Sequence, residues 1–121
     1  MTGRQQQYLY GYKYGYLSGF LIGSTLGKTG FEWDAAKDLK NQQKHGVSFA
    51  VAQYAFADPR RVIAQDIEHS MQEARFYCFA MVDHGVLTVR FTYRESVIRI
   101  IGAGYWRQGK AIYEEKNQIH H

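Results

Sequence analysis

The spacing of apolar and polar residues changes several times along the chain, and each change predicts an element. Phe31-Glu32-Trp33 alternates as a short strand does, and a polar stretch over 34–44 follows it. Asp34 stands where it can cap a helix, and Gly46 where the left-handed conformation that ends one is easy. Ser48 caps a second predicted helix, in which Phe49, Ala52 and Phe56 recur at helical spacing, as do Val51 and Ala55, until Asp58-Pro59 stops the run. Four runs rich in β-branched and aromatic residues then predict strands over 61–65, 75–82, 86–94 and 97–103, with His84-Gly85 and Glu95-Ser96 as turns. After Gly109 a short helix is expected over 110–116. The sum is an α+β domain: a single antiparallel β-sheet of about four to five strands, two N-terminal helices packed on one face, and a short C-terminal helix.

Side-chain parity gives the sheet a chemical character. A two-residue Glu95-Ser96 turn sets Arg94 opposite Val97 and Thr92 opposite Arg99, so Arg90, Thr92, Arg94 and Arg99 share a face. A two-residue His84-Gly85 turn adds Arg75, Tyr77 and Phe79 to it, whereas a three-residue loop would flip Arg75 away. The other face then shows Phe76, Cys78, Ala80, Val82, Leu87, Val89, Phe91, Tyr93, Ile98 and Ile100, an apolar surface for helices to cover.

The residues ahead of position 31 differ from the rest. Tyr8, Tyr10, Tyr12, Tyr14 and Tyr16 alternate with other residues, and Gly11, Gly15, Gly19, Gly23 and Gly27 recur every fourth position. As a helix this segment would stack its glycines on one face, as closely packed membrane helices do. Lys13 interrupts it, however, and the charge-free run after Lys13 is shorter than the roughly 20 residues a bilayer span needs. No signal-peptide pattern is present either. Residues 1–30 are therefore expected to be a dispensable leader, 31–116 the single domain, and 117–121 a polar tail, in a cytoplasmic protein with no membrane role.

Charge refines this. The net charge of +4 in 121 residues is unevenly placed: 1–30 contributes +3, 31–89 contributes −2, and 90–110 contributes +4. An anion-binding function belongs in that last stretch, where Arg90, Arg94, Arg99, Arg107 and Lys110 lie. Four arginines on one sheet face repel one another unless an anion sits among them, and a planar guanidinium suits phosphate. Some could instead pair with Glu68, Glu73 or Glu95. The lone Cys78 lies in an apolar run and is read as a buried structural thiol.

No spacing typical of metal ligands or of a phosphate-binding glycine loop occurs, so no metal or cofactor is expected. Phosphodiester chemistry without a metal is open when the substrate carries its own nucleophile, as RNA does in its 2′-hydroxyl. That reaction needs a base, cations for the phosphoryl oxygens and an acid for the leaving oxygen. His45 and His69 are the candidates for proton transfer and the arginines for charge, with Lys44 assisting. Each histidine also has a structural reading: His45 at a helix end that favours a cation, and His69 among acids in Asp66-Ile67-Glu68-His69-Ser70.

In order and spacing, Phe31-Glu32-Trp33-Asp34, Lys37, Lys44-His45-Gly46-Val47-Ser48-Phe49, Phe56 and Asp58-Pro59 resemble the BrnT toxins. So do His69-Ser70, Glu73, Arg75-Phe76, Val97-Ile98-Arg99-Ile100-Ile101 and Tyr113-Glu114-Glu115. The resemblance implies a RelE-like fold and an endoribonuclease that blocks translation. It further implies neutralisation by a DNA-binding antitoxin, BrnA, in a complex that holds a toxin dimer and binds operator DNA through the antitoxin. Matching family positions are Lys44, His45, His69, Glu73, Arg75, Arg94 and Arg99. Where many members read Ser-Ala-Arg after the last strand, this chain reads Gly102-Ala103-Gly104, and Arg107 or Lys110 is the cation that could supply the missing charge. The expected site is therefore His45, His69, Arg75, Arg94 and Arg99 for catalysis, with Lys44, Arg90, Arg107 and Lys110 for RNA binding. The alternative is a non-catalytic module that binds RNA or an antitoxin through Arg94, Arg99 and Tyr105-Trp106.

Overall fold

The computed structural model describes residues 14–17, 30–70 and 72–119. The glycine-repeat reading over 1–29, apart from 14–17, and the His120-His121 tail lie outside them. The strands are β1 (Tyr14–Leu17), β2 (Phe31–Trp33), β3 (Val62–Asp66), β4 (Arg75–Val82), β5 (Gly85–Arg94) and β6 (Val97–Gly104). The helices are α1 (Ala35–His45), α2 (Phe49–Ala52), which continues as a 3₁₀ turn over Gln53–Ala57, and α3 (Arg107–Lys116). Among the described residues no helix is long and apolar enough to cross a membrane.

The local signals in the sequence operate as expected. The Asp34 carboxylate accepts the Lys37 N–H at 3.0 Å, Gly46 ends α1 at φ 70°, and the Ser48 hydroxyl accepts the Val51 N–H at 3.1 Å. Glu95 and Ser96 make a two-residue turn with φ 54° and 65°, which sets Arg94 opposite Val97 and Thr92 opposite Arg99. Both turn residues are left-handed, a conformation that costs a residue with a Cβ roughly 1–2 kcal/mol. Ser96→Gly is therefore expected to stabilise the protein by about 1 kcal/mol, read as a higher urea midpoint with an unchanged slope.

Three expectations need correction. Among the described residues the sheet has six strands, in the order β1-β3-β4-β5-β6-β2, and is mixed because β2 pairs parallel with β6 while the other pairs are antiparallel. Helices α1 and α2 and strands β3 to β5 all lie between β2 and β6 in sequence, which provides the long connection a parallel pairing requires. The second correction is the β4–β5 turn, which is Asp83-His84 rather than His84-Gly85, with Asp83 at φ 59° and Val82 opposite Gly85. Arg75 thus faces Thr92 and Tyr77 faces Arg90, a slip of two residues in pairing that leaves every side chain on its expected face. Third, α3 starts at Arg107, takes Gly109 into its first turn and packs on the face opposite α1 and α2.

The core sits between the sheet and the two N-terminal helices. Phe49, Ala52 and Phe56 from the helices meet Ile63, Cys78, Ala80, Leu87, Val89, Phe91, Ile98 and Ile100 from the sheet, with Phe76 and Tyr93 at its border. The Cys78 thiol is fully buried in it, and burial pushes its pKa far up, which makes it unreactive. An irregularity in the β5–β6 pairing, with Arg90 opposite Gly102 but Phe91 opposite Ile100, inserts one extra residue and turns Ala103 into this core. Buried Asn41 locks α1 there: its amide donates to Val47 O at 2.8 Å and Ala103 O at 2.9 Å, and its carbonyl accepts the Ala103 N–H at 3.2 Å.

Candidate active site

On the sheet face opposite this core, Arg75, Tyr77 and Phe79 of β4 stand beside Thr88, Arg90, Thr92 and Arg94 of β5 and Arg99 of β6. Helix α3 covers one end of that face, where Ile112 and Tyr113 pack with Ala64, Phe79 and Val86. Beside the first turn of α3 a cleft of about 260 Å³ opens. Asp66 and His69 form one wall, Trp106, Gln108 and Gly109 another, and Tyr77, Phe79, Thr88 and Arg90 lie along the sheet.

Two glycines shape this cleft. A Cβ on Gly109 would lie 2.0 Å from Thr88 Oγ1 and 3.0 Å from the Phe79 ring, so only glycine lets the first turn of α3 rest on the sheet. A Cβ on Gly104 would lie 2.3 Å from the Trp106 indole. The position at which the resemblance leads one to expect an arginine therefore carries no side chain, and the indole fills its place.

The loop after β3 positions His69. The Asp66 carboxylate is almost fully buried, at 2 % side-chain exposure, whereas the His69 side chain is 56 % exposed. Asp66 accepts the His69 backbone N–H at 3.3 Å and bonds ring Nδ1 at 2.9 Å. Ser70 Oγ donates to Asp66 O and accepts the Arg75 N–H at 3.0 Å, closing the loop around the pair. With Nδ1–H directed at a carboxylate, the neutral ring keeps its lone pair on Nε2, the atom a base uses. Arg90 Nη2 lies 3.8 Å from the same carboxylate.

The expected site residues divide on this frame. His69 and Arg90 line the cleft. His45 does not, but its ring meets the Trp106 indole edge-on at 5.1 Å between centroids. Arg75, Arg94 and Arg99 share the face farther along the sheet, where Arg94 pairs with Glu73 at 3.1 Å and Arg99 with Glu32 at 3.0 Å. Glu32 is opposite Arg99 in the parallel β2–β6 ladder, a pairing not visible without the fold. Arg75 forms no ion pair among the described residues. Lys44, Arg107 and Lys110 are exposed on α1 and α3. Sequence reasoning missed Asp66 and Thr88 as parts of the site. The three-residue spacing from Asp66 to His69 was the available signal for the first, and Thr88 had none.

A larger cleft of about 470 Å³ opens by the α1–α2 junction, lined in part by Gln42, Ser48, Asp83, His84 and Tyr105. It holds none of the arginines, so the smaller cleft is the better candidate for phosphate chemistry.

Helix α3 is moored by Asp58, which accepts from Tyr113 Oη at 2.7 Å, Met81 N at 2.8 Å and Arg60 N at 2.8 Å. Burial pushes the Asp58 carboxyl up, but these donors outweigh it and hold it below its usual value. Burial first, and the bond to Asp58 second, push the Tyr113 hydroxyl up to about 12. A lowered carboxyl contributes stability above its unfolded value of about 4, lost as pH falls through the folded one; a raised phenol contributes below about 10, lost as pH rises through the folded value. Stability is therefore expected to fall on both flanks, and Tyr113→Phe should cost about 2 kcal/mol near neutral pH and flatten the alkaline flank. Thermal unfolding between pH 3 and 12 on the two proteins measures this.

Among the described residues no group of three His, Cys, Asp or Glu side chains could hold a metal ion. No curated protein matches the chain. A family model described as the ribonuclease toxin BrnT of type II toxin–antitoxin systems matches residues 33–109, from the end of β2 into the first turn of α3 and so through every wall of the cleft, and the chain belongs to that family.

Proposed function

We propose that this ribonuclease toxin cleaves RNA endonucleolytically in the cleft beside α3, without a metal, by using the 2′-hydroxyl of its substrate. The observation that carries the reading is the convergence of His69, held through Nδ1 by buried Asp66, with Arg90 in one cleft at the end of a basic face. His69 Nε2 takes the 2′-hydroxyl proton, the 2′-oxygen bonds to phosphorus, and the bond to the 5′-oxygen breaks. The leaving oxygen takes a proton from the solvent that reaches the exposed His69. A 2′,3′-cyclic phosphate and a 5′-hydroxyl result. Arg90 faces the charge that builds on the phosphoryl oxygens, and Arg75, Arg94, Arg99, Lys44, Arg107 and Lys110 track the flanking backbone. The carboxylate pairs of Arg94 and Arg99 are solvent-exposed enough to exchange for phosphate at little cost. His45, behind Trp106, positions the indole, on which a base can stack.

In the same reading the fold is RelE-like, and residues 31–116 form the toxin domain, to whose sheet β1 adds an edge strand that the activity does not require. The protein acts in the cytoplasm and arrests translation. A DNA-binding BrnA-like antitoxin neutralises it in a complex that contains a toxin dimer and binds operator DNA through the antitoxin.

Induction of the full chain in a bacterial host, with sequencing of RNA ends, tests the central claim. Growth arrest with new 2′,3′-cyclic phosphate ends is expected. Arrest with intact RNA would instead favour a module that binds through Arg94, Arg99, Tyr105 and Trp106 without cleavage.

A further inference from the structure

We infer that the first turn of α3, with Arg90 and Thr88, forms a phosphate subsite in this cleft, the place where a phosphoryl group of the substrate is seated beside His69. The ribonuclease reading supplies the identity of the natural ligand; the subsite itself stands on separate observations.

Helix α3 has ten residues, and its N-cap, Trp106, makes no side-chain capping bond. The first N–H bonded back into the helix is that of Lys110, to Trp106 O at 3.1 Å. The N–H groups of Arg107, Gln108 and Gly109 are thus left at the positive end of the helix dipole, and no acidic residue stands in the first turn to take them up. Gln108 and Gly109 line the cleft.

A second observation comes from the sheet below. Thr88, one of the residues that line the cleft, is only 4 % exposed, and its Oγ1, packed beneath Gly109, has no hydrogen-bond partner among the described residues. Buried hydroxyls in native proteins nearly always have a partner, so an orphan at the wall of a cleft marks the place of one that arrives from outside. Arg90 Nε is buried and unpartnered as well, in a guanidinium whose other end reaches toward Asp66. The Arg90 guanidinium, the Thr88 hydroxyl and the end of α3 are donors or positive poles gathered at one side of this space, while the Asp66 carboxylate is engaged by His69. A tetrahedral oxyanion with several acceptor oxygens answers these donors together, whereas a neutral base would leave the helix end and the Arg90 Nε without an acceptor.

Amide NMR of the full-length protein, titrated with inorganic phosphate at constant ionic strength, tests the subsite. The Gln108 and Gly109 amides and the Trp106 indole should shift and saturate. Arg90→Gln should weaken binding about tenfold or more, and Thr88→Val, which keeps the side-chain shape, by about threefold to tenfold. If Arg90→Gln does not fold, Thr88→Val alone decides. Absent or non-saturating shifts, shifts centred on Arg94 and Arg99, or equal affinity in the folded variants would overturn the subsite. Saturable phosphate binding by a protein that leaves RNA intact would keep the subsite and remove the ribonuclease reading. RNA cleavage without phosphate shifts in α3 would do the reverse.

Discussion

His69→Gln is expected to lower the rate of RNA cleavage by about 10²- to 10⁴-fold, the usual worth of a positioned acid–base group. Glutamine can still donate to the buried Asp66 carboxylate through its side-chain amide, so this variant avoids leaving that carboxylate with Arg90 alone. What it removes is the lone pair on Nε2. The pH–rate profile separates this from a structural effect: the limb due to the imidazole should vanish in His69→Gln. Asp66→Asn, which retains an acceptor but not the charge, should retain the limb at lower activity, since in the proposed mechanism Asp66 orients the ring without touching substrate. Wild-type activity in His69→Gln, measured on a defined RNA, would exclude His69 from the chemistry. His45→Gln is expected to have the smaller effect, because His45 reaches the cleft only through Trp106.

The largest loss of stability is expected from Asn41→Leu. Leucine fits the space of the asparagine but leaves Val47 O, Ala103 O and Ala103 N, all inside the core, without their bonds. With about 1–3 kcal/mol for each orphaned group and partial relaxation, the cost is about 4 kcal/mol. That is a large share of the roughly 5–15 kcal/mol that holds a domain of this size together. Urea unfolding should show a midpoint shift of that order. Because Ala103 belongs to the strand end that leads to Trp106, the indole fluorescence of Asn41→Leu should also lose its native environment before the main transition. A cost below about 1 kcal/mol would mean that water replaces the amide at these three groups.

What could be read without a structure follows the range of the interactions concerned. Capping by Asp34 and Ser48 and termination at Gly46 depend on atoms within a few residues, so type and position identify them. The basic face was legible for a similar reason. Alternation along a strand is a local property, and slipping the β4–β5 pairing by two residues moved the partners of Arg75 without moving Arg75 off its face. The start of α3 was misplaced because Gly109 reads as a boundary until the Thr88 hydroxyl beneath it shows why a glycine is needed inside the helix.

The sequence by itself thus determined the caps of α1 and α2, the Glu95-Ser96 turn, the apolar and arginine faces of the sheet and, through its ordered motifs, the family. The tertiary structure alone decided that β2 lies parallel to β6, so that Glu32 meets Arg99. It also decided that one extra residue in β6 sends Ala103 inward, and that α3 crosses the arginine face to make a cleft of Asp66, His69, Thr88, Arg90 and Trp106. The physical reason is one of distance along the chain: capping and alternation are settled between neighbours, whereas a cleft is made by residues far apart in sequence that only packing brings together.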